Sequence, residues 1–280
     1  MTLHAPAAAH QPPKKIAPAT YLIQESRPAL GAPLSVYFNS AVILGSEPIL
    51  IDTGTRTNRE HWLQDVFGLV EPEDVRWVFL SHEDSDHTGN LVEVMEACPN
   101  ATLVCSWVMV ERYGTAYDFP LQRCRWLNDG EAFDAGDRTL AAIRPPVYDS
   151  PSTRGLLDTT TGVYWASDAF AAPVPGGPGV TPIDDIDDAE PDTWFAGMVM
   201  FGLHGLSPWL RLVDSDRYAA SIKAVQRHGM TTLISGHSPL IRGARVEQAF
   251  DLLARMADAT PPPCPDQAVL EMMLEATGGT

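Results

Sequence analysis

The segment Ser81-His82-Glu83-Asp84-Ser85-Asp86-His87-Thr88-Gly89-Asn90 packs two imidazoles and three carboxylates between positions 82 and 87. Imidazole nitrogen and carboxylate oxygen are ordinary ligands of transition metals, so this density suits metal binding. The spacing refines the reading. His82 and Asp84 stand two apart, and in an extended segment they point the same way, toward one ion. Asp86 and His87 are adjacent and would diverge in a strand. At a strand-to-helix corner both can turn toward a second ion. Glu83 alternates with these candidates and is expected to point outward. Taken alone, the segment also reads as a solvated acidic turn with two surface histidines.

Three more ligand-type residues sit at or just after the ends of apolar runs. Asp149 follows the run 141–143, Asp168 follows Val163-Tyr164-Trp165-Ala166-Ser167, and His237 follows Leu233-Ile234-Ser235-Gly236. Asp52 ends Ile49-Leu50-Ile51 in the same way. In layered α/β folds, sites are built at strand ends. Tyr148, beside Asp149, and His204, in Phe201-Gly202-Leu203-His204-Gly205, are candidates for the same pocket. His61 and His228 read as surface helix residues, and Trp165 and Trp209 as core or pocket wall.

The elements that must position these residues follow from pattern. Short apolar, β-branched runs predict strands at 21–23, 35–38, 41–44, 48–51, 75–80, 102–105, 124–127, 139–143, 154–157, 162–166 and 232–234. Helices are expected at 58–67, 91–97, 193–203, 215–228, 245–257 and 267–276, with a short one ending at Arg112. Residues 171–182 are mostly Pro, Gly and Ala, which predicts a loop with no strand or helix interior. It follows Asp168 and is a candidate cover for the site. Residues 184–192 read as an acidic, solvated loop. The organisation expected is a disordered leader over 1–18, a domain over 19–258, and a Pro-rich linker with a short helix over 259–280. Alternating strands and helices predict sheets covered by helices.

Composition narrows the function classes. The 280 residues carry 19 Lys and Arg against 36 Asp and Glu, a net charge of -17. Such a chain is poorly suited to hold nucleic acid or an anionic membrane by charge. No run approaches the roughly 20 apolar residues of a membrane span, and the first residues lack a secretion signal. A cytoplasmic location is expected. Cys98, Cys105, Cys124 and Cys264 form no Cys-x-x-Cys pair and read as reduced thiols, buried at 98 and 105.

Over about 21–257 the chain resembles the metallo-β-lactamase-fold proteins, which carry a His-x-His-x-Asp-His motif after a buried strand. Within them it is most similar to the flavodiiron and oxygen-binding diiron proteins. Those place Glu at the second His and continue with a run like His87-Thr88-Gly89-Asn90-Leu91. Ser167-Asp168-Ala169-Phe170 resembles their bridging-Asp segment. The resemblance implies an αββα sandwich of two mixed sheets covered by helices. It also implies one metal at His82, Asp84 and Asp149, a second at Asp86, His87 and His237, and Asp168 as the bridge. Asp52 would orient a ligand from behind.

Two positions depart from the pattern. Asp84 stands where the family has His or Glu, and Asp149 where it has His. Three His and four Asp make an oxygen-rich set, which favours iron, with manganese or zinc as alternatives. The implied function is to bind or reduce O2 or NO. About 40 residues follow His237. A flavodoxin-like domain does not fit there and no rubredoxin cysteine framework exists, so no flavin is expected in this chain. Electrons would come from a separate partner, and a homodimer is compatible with the resemblance. A metal-dependent hydrolase of an ester, lactone or phosphoester, or a non-catalytic oxygen or redox sensor, is the alternative on the same ligand set.

Overall fold

The structure is a computed structural model that describes residues 9–29, 33–176 and 183–276. Its first sheet grows around three short apolar strands, β5 (Ile49–Ile51), β6 (Trp77–Phe79) and β7 (Thr102–Cys105), which pair in parallel. Runs this apolar are what a strand covered on both faces requires. On one side β8 (Cys124–Trp126) adds in parallel at the edge. On the other side the long pair β3 (Thr20–Pro28) and β4 (Leu34–Ile43) adds antiparallel, joined further out by β1 (Ala9–His10) and β2 (Lys14–Ala17).

The second sheet is an antiparallel series of β9 (Ala132–Asp134), β10 (Thr139–Ile143), β11 (Gly155–Asp158) and β12 (Val163–Trp165). A short strand, β13 (Val174–Pro175), returns to the first sheet beside β4. Then β14 (Thr232–Ile234) pairs in parallel with β12, and β15 (Ile241–Arg242) closes that edge.

Side-chain alternation sorts the core into three layers. Between the sheets, Ile43, Ile51, Phe79 and Val104 meet Phe133, Leu140, Leu156 and Trp165. Over the outer face of the first sheet, α1 (Arg59–Leu69), α2 (Leu91–Ala97) and α3 (Trp107–Tyr113) bury Trp62, Val66, Val94 and Met109 against Leu50, Val78 and Leu103. Over the second, α4 (Pro191–Phe201), α5 (Ser215–Gln226) and α6 (Ala244–Arg255) bury Trp194, Met198, Ile222 and Phe250. This is the expected αββα sandwich of two mixed sheets. A last helix, α7 (Gln267–Ala276), follows the Pro261-Pro262-Pro263 stretch. No helix among the described residues is long and apolar enough to cross a membrane.

Several local expectations change. The leader expected to be disordered over 1–18 is ordered where described. Ile16 and Ala17 pack on the inter-sheet core, so β2 covers the open edge of β3. Residues 1–8 lie outside the described residues. The runs at 35–38 and 41–44 are one strand, because Asn39 and Ser40 between them are buried and paired with Gln24 and Ile23. The loop expected over 171–182 contains β13, since Val174 is buried beside Ser35; its residues 177–182 lie outside the described ones. The helix expected over 193–203 starts at Pro191 and gives way to a π-helical turn, Gly202–Leu206. Cys98 and Cys105 are buried as expected, and burial pushes their thiols up to about 11 and about 12.

Gly89 tests how closely the motif is packed. A Cβ there would lie 2.5 Å from the Arg56 nitrogen, 2.5 Å from the Gly54 oxygen and 2.8 Å from the Ser85 oxygen, all of them backbone. Gly89→Ala is expected to cost about 1–3 kcal/mol by overpacking. Gly68→Ala, in α1 with nothing within 4 Å of the new Cβ, should instead gain up to about 1 kcal/mol of helix propensity. Urea denaturation of both variants checks the opposite signs.

Candidate metal centre

The site lies at one end of both sheets, where four strands stop. Asp52 follows β5 and adopts a left-handed conformation, φ 55°. Asp tolerates that region better than most residues. The turn aims its fully buried carboxylate back at the chain leaving β6. There Oδ1 accepts the Ser81 backbone N–H at 2.7 Å, and Oδ2 accepts the Ser81 hydroxyl at 2.6 Å. The same Oδ2 lies 2.7 Å from His87 Nδ1. A carboxylate oxygen accepts here, so this bond places a proton on His87 Nδ1 and leaves Nε2 as the atom turned to the cavity.

The other histidines are held from behind in the same manner. His237 Nδ1 lies 2.8 Å from the Tyr37 carbonyl, which also only accepts. His82 Nδ1 meets the Ser81 and Ser167 hydroxyls at 3.2 and 3.1 Å. All three rings therefore turn Nε2 toward the same space.

The carboxylates enter that space in two groups. His82 Nε2 lies 3.7 Å from Asp84 Oδ2, 3.7 Å from Asp149 Oδ2 and 3.5 Å from Asp168 Oδ2. The second group gathers on the other oxygen of Asp168. Oδ1 is 3.0 Å from His87 Nε2 and 3.5 Å from His237 Nε2, and Asp86 Oδ2 is 3.5 and 3.2 Å from the same two nitrogens. One carboxylate thus faces both triads with different oxygens. Asp168 is set in a tight turn whose neighbours Ser167 and Phe170 have φ of 51° and 65°.

Two tests ask whether these residues suit metal ions. The first is bonding capacity. His82 Nε2, His87 Nε2 and Asp168 Oδ1 are buried and have no hydrogen-bond partner. Buried polar atoms are normally paired, so atoms that crowd together unbonded call for a shared cation. The triads His82, Asp84, Asp149 and Asp86, His87, His237 each bring their ligand atoms within 4.8 Å of one another, as do His82, His87 and Asp168. The second test is charge. Burial alone would make the imidazoles less basic, but Asp168 and Asp86 outweigh it. They push His237 up to about 10 and His87 well above its ordinary value. Burial would raise Asp168, but His87, His237 and His82 hold it well below the carboxylate range. Asp149 is pushed up, by burial and then by the nearby Asp168 charge. The cluster binds protons tightly where a cation would sit. By both tests the donor set fits metal ions.

All seven residues predicted as ligands come together here, and Asp52 stands behind His87. Two pocket candidates do not reach the site. The Tyr148 ring packs on Trp209, 5.4 Å between centroids, and lines a separate cavity with Arg217 and Tyr218. His204 turns outward from the π-helical turn. Its Nε2 lies 2.7 Å from the Pro262 oxygen and its Nδ1 3.2 Å from Cys264 Sγ, so it fastens the C-terminal segment.

Sequence reasoning missed the residues that hold the ligands. Ser81 and Ser167 flank them, and short polar residues beside ligand candidates were a readable signal. The role of Glu83 was not readable. It was expected to point outward, but its side chain is only 11% exposed: it accepts hydrogen bonds from Ser150 and Ser152 and pairs with Arg112. It thereby pins the loop that carries Asp149. These bonds hold its carboxyl below the usual range against the opposing effect of burial.

Asp52→Asn isolates the support from the ligands. The amide keeps the shape and tolerates the left-handed turn, but one side becomes a donor facing Ser81 or His87. The variant is expected to bind zinc or ferrous iron about 10- to 100-fold more weakly. Competition with a chromophoric chelator measures this, and equal affinity would show that Asp52 does not support His87.

Comparison with known proteins agrees with this architecture. The model of the family described as ODP family beta lactamase matches residues 36–222. A diflavin flavoprotein A 1 of Synechocystis sp. is 24% identical over 209 residues, 73% of this chain and 34% of that protein. An anaerobic nitric oxide reductase flavorubredoxin of Salmonella typhi is 23% identical over 134 residues, 48% of this chain and 28% of that one. The chain spans about a third, or less, of the length of the curated relatives it matches. Among solved structures, the rubredoxin oxygen:oxidoreductase of Desulfovibrio gigas superimposes with a TM-score of 0.73 at 17% identity, covering 89% of this chain and 62% of that one. The flavodiiron protein of Giardia intestinalis gives a TM-score of 0.70 at 17% identity, covering 89% and 60%. With the family model matching most of its length, and flavodiiron proteins sharing its fold, the chain belongs to the ODP family of beta lactamases.

Proposed function

We propose that the chain holds two metal ions, iron in the working protein, and uses them to bind or reduce O2 or NO with electrons from a separate partner. The observation that carries this reading is the divided carboxylate of Asp168. Its two oxygens serve two triads, each with two carboxylates or two imidazoles, which is what a bridged pair of ions needs. His82, Asp84 and Asp149 would hold one ion, and Asp86, His87 and His237 the other. Four carboxylates against three imidazoles make the set oxygen-rich, which favours iron or manganese over zinc. Bound in this way, an iron pair would pass a partner's electrons to a diatomic oxidant. The named functions of the relatives support the choice of O2 and NO. One is a rubredoxin oxygen:oxidoreductase and another a nitric oxide reductase.

The protein's own part is to position and to shield. Asp52, Ser81, Ser167 and the Tyr37 carbonyl fix the ring orientations. Phe201 lies 5.1 Å and Phe38 5.4 Å from the His237 ring, centroid to centroid, and together they wall the second triad with apolar surface. Rigid placement of this kind leaves little reorganisation for the moment of reaction.

Elemental analysis of anaerobically purified protein is expected to give close to two ions per chain, chiefly iron. One zinc per chain with no uptake of iron on reconstitution would overturn the reading and favour a hydrolase. Asp168→Ala should lose both ions, because each would use one oxygen of that side chain, whereas Asp149→Ala should lose chiefly the ion at His82. Unchanged metal content in Asp168→Ala would remove it as the bridge.

Asp149→His tests the departure from the family pattern. A neutral imidazole replaces a charged carboxylate, so metal preference should shift toward zinc. In the iron-loaded form the reduction potential should rise, because the trivalent state loses compensating charge. Iron–zinc competition and redox titration check both outcomes. If neither quantity moves, Asp149 is not a ligand.

A further inference from the structure

The cavity above the two triads is far larger than a diatomic molecule requires. It encloses about 760 Å³. A molecule the size of water takes about 30 Å³, while pockets for small organic ligands run about 300–1,000 Å³. Its floor includes Asp84, Asp86, Asp149, Asp168 and His237, and Phe38, Phe201 and Leu206 give it an apolar wall. Its lining also includes two cations, Arg27 and Arg56.

The Arg27 guanidinium lies 4.1 Å from the Phe38 ring centroid, and its Nε is 3.0 Å from Glu25 Oε1. Yet neither Nε nor Oε1 has a hydrogen-bond partner, so the pair is close but not aligned. Arg27 is thus held in place with donor capacity unspent. The other oxygen of Glu25 accepts the Thr55 hydroxyl at 2.9 Å, and Arg56 is the next residue. Arg56 begins a 3-10 turn, is exposed, and makes no ion pair among the described residues. A fixed guanidinium and a free one beside an apolar wall form the recognition surface for an anionic head on an apolar body.

We propose that this cavity binds a small organic anion, with its carboxylate or phosphate group held by Arg27 and Arg56 and its apolar part against Phe38 and Phe201. The proposal rests on the metal reading, since bound cations offset the four carboxylates that would otherwise repel an anion. It goes beyond that reading by giving the centre a second, larger ligand than O2 or NO.

The test uses zinc-loaded protein with metal content measured for every variant, and benzoate, phenyl phosphate and benzyl alcohol as probes in a calorimetric titration. Benzoate or phenyl phosphate should bind at least about tenfold more tightly than benzyl alcohol, and the tighter of the two identifies the head group. Arg56→Gln should remove about tenfold of that affinity with metal content unchanged, while Arg211→Gln, an exposed arginine elsewhere, should behave as wild type. If neither anion outbinds the alcohol, the proposal fails. If Arg56→Gln binds as wild type does, the anion sits on the metals alone and the arginines have no part in it. A protein that takes up no metal would instead overturn the reading of the centre itself.

Discussion

The structure turns on one electrostatic constraint: four carboxylates and three imidazoles converge on a space that protein dipoles alone do not satisfy. Asp168 sits at its middle and faces all three imidazoles. In low-dielectric surroundings charges at these distances interact strongly, so the cluster must be neutralised by something held within it. Protons do so in part, as the raised His87 and His237 show. Cations would do so with ligand atoms already gathered in place. The rest of the fold serves to hold these groups close against their own repulsion. That is why Asp52, Ser81 and the Tyr37 carbonyl are buried and fully engaged.

Strain is part of the same arrangement. Asp52, Ser167 and Phe170 adopt left-handed backbone conformations, and all three lie at or beside the centre. Each costs on the order of 1 kcal/mol or more for a residue that is not glycine. The cost is met by the packing around them, since all three are buried. Sharp turns at strand ends bring residues of different strands to one point without long loops. A hydrogen-bonded carboxylate then locks the geometry that the turn allows.

Much of this was legible from residue types. Apolar runs located the inner strands at 102–105 and 232–234 to the residue, because strands covered on both faces leave little room for polar side chains. Residues of ligand type at the ends of such runs marked the site. What escaped were features set by contacts distant in sequence. The two-residue strands β13 and β15 exist because a neighbour pairs with them, not because of their own composition. His204 read as a pocket candidate because nothing local shows that Pro262 and Cys264 fold back onto it. Tyr148 read likewise, although its backbone is tied to Ser207, 59 residues away, and its ring to Trp209.

The bond between His237 and the Tyr37 carbonyl joins residues 200 positions apart. Its consequence concerns order in time. Closing so long a loop is entropically late, because the intervening strands must pair before the ends can meet. A chain emerging from synthesis holds the segment 82–87 long before it holds His237. Without Asp149, Asp168 and His237, the first half would offer only part of the ligand set. The completed arrangement appears when the second sheet docks on the first. Any ion held here would therefore meet its full set of ligands only at the last stage of folding, when His237 joins the segment 82–87.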